Sequence, residues 1–96
     1  MVTRYLVTYD IVDPSRLRKV HAVMKSVAER VQDSVYETLL TPRERVLLEG
    51  RLRKVMNLQA DQVLFIDLGS ADRKEVAEVS GLGVPYRPTE RGAVIV

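Results

Sequence analysis

No cysteine occurs among the 96 residues, and its absence excludes disulfides, thiolate nucleophiles and cysteine-based zinc sites together. Histidine occurs once, at His21, and neither Ser15 nor Ser34 has a base nearby in the sequence, so a serine–histidine–aspartate triad has little support. Phe65 is the only phenylalanine, and no Lys/Arg-Gly-Phe/Tyr signature surrounds it, so the stacking platform of an RNA-recognition motif is not expected. No apolar run approaches the roughly 20 residues that span a bilayer. Strand-like sequence also begins too close to Met1 for a signal peptide, so a cytoplasmic protein with no membrane partner is expected. A dominant charge is missing as well. Lys+Arg number 15 against 13 Asp+Glu, which leaves a net charge of +2 and makes the placement of the bases more informative than their sum.

What is present suits one domain over residues 1–96, because a hydrophobic content of 46% at this length supports a two-layer core. The stretch Tyr5 to Asp10, rich in Tyr, Val and Thr, reads as a strand covered on both faces or placed at a subunit contact. Asp13-Pro14 then reads as an N-cap followed by proline at the first helical position. Leu17, Val20, Met24, Val27 and Ala28 recur at three- and four-residue steps, predicting a helix to about Ala28, with Arg18 and Lys25 on one flank and Arg16 and Lys19 on the other. His21 falls at the edge of that stripe and reads as structural. Arg30 to Leu40 is strand-like, with Val31, Val35 and Leu39 on one face, and fits either one long strand or two short ones. "TPRE", Thr41 to Glu44, is a capping box that opens a second helix to about Met56. Leu48, Leu52, Val55 and Met56 form its stripe, and Arg45, Arg51, Arg53 and Lys54 lie mostly away from it. Gly50 inside that helix suggests close packing on a neighbour. Gln62 to Leu68 predicts a central strand. Residues 69–96 read as a loop-rich tail with at most a short helix near Arg73 to Val79, and Gly81 and Gly83 as turn residues. The chain ends on Ala93, Val94, Ile95 and Val96, a β-prone stretch expected to pair with the sheet of a partner subunit.

The chemistry is concentrated at Asp10. A carboxylate at the end of a strand, where the backbone leaves the sheet, suits a metal ion, although the same residue type also forms turns. One carboxylate is too few for an all-protein magnesium cage, but a symmetric dimer brings two copies together, and the site then belongs to the dimer. Arg16, Arg18, Lys19, Lys25 and Arg30 follow closely, as phosphate-backbone contacts or as solvated surface.

"YLVTYDIVDPSRLRKV" followed by "ERVQDSVYETLL" resembles the CRISPR-associated protein 2 family, over roughly Tyr5 to Leu68. The resemblance implies an α+β, ferredoxin-like sandwich of βαββαβ type with an antiparallel sheet on two helices and an extra C-terminal strand. Arg30 to Leu40 is then a long bent element of that sheet. It further implies a homodimer with facing sheets, whose C-terminal strands cross to the partner. In such a protein Asp10 is the metal-binding and catalytic residue, sharing Mg2+ (or Mn2+) with its copy. Tyr9 assists beside it, and Arg16, Arg18, Lys19 and Arg30 neutralise and orient the phosphates. Gln32, Ser34 and Tyr36 have structural roles near the site. Asp33, Tyr36 and Ala28 depart from the usual family residues at their positions. The implied function is CRISPR adaptation in antiviral defence: binding double-stranded DNA or RNA, partnering a CRISPR integrase subunit, and acting as a magnesium-dependent endonuclease. The alternatives are a toxin-type ribonuclease of related fold, a catalytically silent duplex-binding scaffold, and a small-molecule-binding regulatory domain.

Overall fold

In the computed structural model, which describes residues 1–71 and 78–85, strand β1 (Thr3–Asp10) buries Tyr5, Val7 and Tyr9 and leaves Leu6 and Thr8 only partly covered. Such alternation gives the sheet one face packed on helices and one face without them. The elements that follow are α1 (Pro14–Val27), β2 (Glu29–Gln32), β3 (Val35–Leu40), α2 (Pro42–Val55), β4 (Gln62–Ser70) and β5 (Glu78–Gly83). All neighbouring strands are antiparallel, in the spatial order β2-β3-β1-β4-β5. The first four strands and the two helices form the α+β, ferredoxin-like βαββαβ sandwich that the sequence predicts, and β5 extends it beside β4.

Local chemistry sets the helix boundaries. The Asp13 carboxylate accepts the Arg16 N–H at 2.9 Å and Pro14 opens α1, while Ala28 closes it with its N–H on the Met24 carbonyl at 2.9 Å. Thr38 on β3 donates its hydroxyl to the Val27 carbonyl at 2.9 Å, satisfying one of the orphan acceptors of the last turn. In α2 the capping box is complete: the Glu44 N–H donates to the Thr41 hydroxyl at 3.1 Å and the Thr41 N–H donates to the Glu44 carboxylate at 2.8 Å. Between helices and sheet lies one core, in which Val20, Val23 and Met24 of α1 and Leu48 and Leu52 of α2 meet Val7, Tyr36, Val63 and Phe65. Leu17 and Val27 sit at its margin, so the buried stripe of α1 is narrower than its apolar spacing suggests.

Four expectations are corrected. Arg30 to Leu40 is not one bent strand but a hairpin, β2 and β3 pairing around a turn at Asp33 and Ser34, where Ser34 takes the left-handed conformation (φ 62°). Its core face carries Tyr36, Thr38 and Leu40, while Val31 and Leu39 are exposed. Within the expected loop region, Gly81 and Gly83 belong to β5. A Cβ at Gly81 would come within 2.8 Å of Leu64, and at Gly83 (φ 92°) it would run into the Asp61 carbonyl. Gly50, by contrast, has nothing within 4 Å of where a Cβ would stand, so no close packing explains it. Arg45 is not a surface base: its guanidinium lies 5.0 Å from the Tyr5 ring centroid and 4.6 Å from that of Phe65, and donates to Glu49 at 2.8 Å and the Ser80 hydroxyl at 2.7 Å. Ala93 to Val96 and residues 73–77 of the suggested short helix lie outside the described residues.

Candidate nucleic-acid and metal site

Asp10 is the last residue of β1, paired in register with Gln62 of β4. Strand alternation places it with Leu6 and Thr8 on the face that carries no helix. Across that face Thr8 is flanked by Val35 and Leu64, and Leu6 by Glu37 and Ile66. The Asp10 side chain is exposed, and its carboxylate has no hydrogen-bond or ion-pair partner among the described residues. It is therefore free to take a cation. No group of three or more His, Cys, Asp or Glu side chains able to hold a metal occurs among the described residues. One chain thus fits a magnesium ion only as a single carboxylate among waters, and two copies fit it better, since this ion is ordinarily held by one or two carboxylates.

The five bases do not form one patch. Arg16 is committed to the fold: its Nε and Nη2 donate to Asp61 at 2.8 and 3.2 Å. Asp61 is itself fully buried, and its carboxylate also accepts the Val12 N–H at 3.0 Å and the Asn57 N–H at 2.8 Å. The Arg16 hydrogen bond, helped by the two amides, holds the Asp61 pKa at about 2 against the opposing effect of burial. Arg18, Lys19 and Lys25 are exposed on α1, in the helix layer on the opposite side of the sheet from the open face that carries Asp10. Arg30 on β2 pairs with Asp33 across the hairpin turn.

Tyr9 does not join Asp10. Its ring is buried in the helix-facing core, stacked at 6.0 Å on Tyr36, and its hydroxyl lies 3.3 Å from Nδ1 of His21. The Tyr36 hydroxyl reaches the same nitrogen at 2.7 Å, which gives the only histidine a structural role and gives Tyr36 a buried polar partner. Burial first, then the neighbouring Tyr36 hydroxyl, pushes the Tyr9 pKa well above its ordinary value, so Tyr9 stays protonated at neutral pH. A phenolate base at this position is not available. Gln32 is exposed at the end of β2, and the Ser34 carbonyl accepts the Tyr9 N–H at 3.2 Å.

Sequence reasoning missed Asp61. The available signal was its position, an acid directly before the most apolar strand, where an unpaired charge is costly and a partner is required.

Comparison with known proteins gives the geometry its family. Residues 1–76 match the family model for CRISPR associated protein Cas2. The CRISPR-associated endoribonuclease Cas2 1 of Rhodospirillum rubrum is 37% identical over 92 residues, covering 96% of this chain and 89% of that protein. Among solved structures, a hypothetical protein from Thermus thermophilus superposes with a TM-score of 0.70 at 32% identity, covering 81% of this chain and 96% of that one. The Cas2 of Streptococcus pyogenes, crystallised at pH 6.5, gives a TM-score of 0.59 at 36% identity, covering 65% of this chain and 81% of that one. With the fold and the family model in agreement, the chain belongs to the CRISPR-associated protein Cas2 family.

Proposed function

We propose that this protein acts in CRISPR adaptation as a homodimer that binds double-stranded DNA or RNA beside an integrase subunit, with magnesium-dependent phosphodiesterase activity centred on Asp10. The observation that carries the reading is the free carboxylate at the end of β1, on a sheet face without helices, in a chain whose relatives are named endoribonucleases. Two Asp10 carboxylates, one from each subunit, would hold the cation. When bound, it supplies Lewis acidity toward a phosphodiester oxygen. On the helix side of the sheet, away from Asp10, Lys19, Lys25 and Arg18 are exposed and able to neutralise backbone phosphates of a bound duplex. Arg16 supports the turn between β1 and α1 through Asp61, and Tyr9 supports the core beneath it.

A second reading, a duplex-binding scaffold without cleavage, is favoured by the single site carboxylate among the described residues, because two-metal nucleases assemble several. Cleavage of short RNA and duplex DNA with magnesium, wild type against Asp10→Ala, separates the two. The expected result is a loss of roughly 100-fold or more in the variant, with fold and mass unchanged. Equal cleavage by both proteins would overturn the role of Asp10, and absence of cleavage from both would leave the scaffold reading.

A further inference from the structure

On the helix side of the sheet, away from Asp10, a cleft of about 620 Å³ opens between α1 and the β2–β3 hairpin, with Tyr9 as its floor. Its walls carry Arg18 and His21 from α1 and Arg30, Asp33 and Ser34 from the hairpin, with Leu17 as the apolar lining. Several features of this cleft point toward a ligand. Two guanidinium groups supply forked donors suited to the oxygens of a phosphate. The single histidine lines the cleft beside them, with the Tyr36 hydroxyl 2.7 Å from its Nδ1. Ser34 holds a left-handed backbone (φ 62°), uncommon outside glycine, at the rim. Leu17, 38% exposed, leaves an apolar surface in the cleft for a ring or sugar. Asp33 pairs with Arg30, so the cleft carries one net positive charge and a phosphate competes with Asp33 for that guanidinium.

We infer that this cleft binds a single nucleotide unit through its phosphate, with Arg18 and Arg30 as phosphate donors, His21 beside them and Leu17 against the sugar or base. The shared chemistry is a phosphate monoester on a nucleoside, offered by a free nucleotide or by the 5′ end of a strand. The inference rests on the nucleic-acid reading for its ligand class alone, since the cleft and the Asp10 face lie on opposite sides of the sheet.

The test is an NMR titration of the full-length protein with cytidine 5′-monophosphate, and with cytidine and inorganic phosphate as separate probes. The expected result is saturable shifts at the amides of Leu17, Arg18 and Ser34 and at the His21 ring. Cytidine should bind about 10-fold more weakly or worse, as should the nucleotide to Arg18→Gln, whose surface position leaves the fold intact. A second arm compares a short oligonucleotide with a 5′-phosphate against the same strand with a 5′-hydroxyl. Tighter binding of the phosphorylated strand, lost in Arg18→Gln, assigns the cleft to strand ends, and binding of the mononucleotide without that difference assigns it to free nucleotide. Shifts confined to the open face, or equal for cytidine and its monophosphate, overturn the inference. Repeating the titration on Asp10→Ala separates the two proposals: cleft shifts retained without cleavage leave this site standing, and cleavage intact in the wild type without cleft shifts removes this site alone.

Discussion

At the scale of single residues, bases of similar sequence character have different jobs. Arg16 and Lys19 lie on one flank of α1, yet Arg16 is held by a buried carboxylate and Lys19 faces water. Lys19→Gln should weaken duplex binding about equally for all sequences and lower the salt slope by roughly one unit, measured as affinity against salt concentration. Arg16→Gln should act on stability instead, because it strands the Asp61 charge. Urea unfolding should show a lower midpoint, and an unchanged midpoint would mean that the Val12 and Asn57 amides hold Asp61 without Arg16. The same pair predicts acid sensitivity. Asp61 has a folded-state pKa of about 2, below the ordinary carboxylate value, so its contribution is complete above about pH 4 and is lost as pH falls toward 2. Asp61→Asn should flatten that part of the stability profile, and an unchanged acid limb would remove the pair as its cause. None of this specificity was legible beforehand, since the partner of Arg16 lies 45 residues away and only the fold brings the two together.

At the scale of elements, legibility followed local chemistry. Both helices were readable because their starts are written in at most four consecutive residues: Asp13-Pro14, and Thr41 with Glu44. The hairpin was not, because all four residues of β2 are exposed and give no alternation, and its turn uses Ser34 rather than glycine at the left-handed position. Strand β5 was hidden for a related reason. Its glycines meet Leu64 and the Asp61 backbone, so they mark close approach within a sheet, whereas in sequence they read as turn formers. Gly50 has neither justification. It sits inside α2 with open space at the Cβ position, so Gly50→Ala should stabilise the protein by about 1 kcal/mol in thermal or urea unfolding. A neutral or destabilising result would mean that this position contacts something the isolated chain does not show, a partner surface for example.

At the scale of the whole molecule, the described residues put helices on one side of the sheet only. The open side presents Leu6, Val35, Leu64 and Ile66 around Thr8, and a β-sheet that leaves such a face to water is an incomplete layer. In the homodimer proposed above, a second copy of the chain would complete it and would also bring in a second Asp10, because Asp10 is on that same face. Ile66→Lys should therefore reduce the mass seen by light scattering from dimer to monomer, and removal of Ala93 to Val96 should weaken the same association. Dimer formation alone does not establish that the two acids work together, but mixing does. If wild type and Asp10→Ala are allowed to exchange subunits at equal amounts, a site that needs both carboxylates is complete in about one quarter of the dimers. Independent sites would instead retain about one half of the activity, because each wild-type subunit works whatever its partner. A quadratic fall of cleavage with the wild-type fraction would place the cation between the subunits, whereas a linear fall would give each chain its own site and leave the open face with a purely structural task.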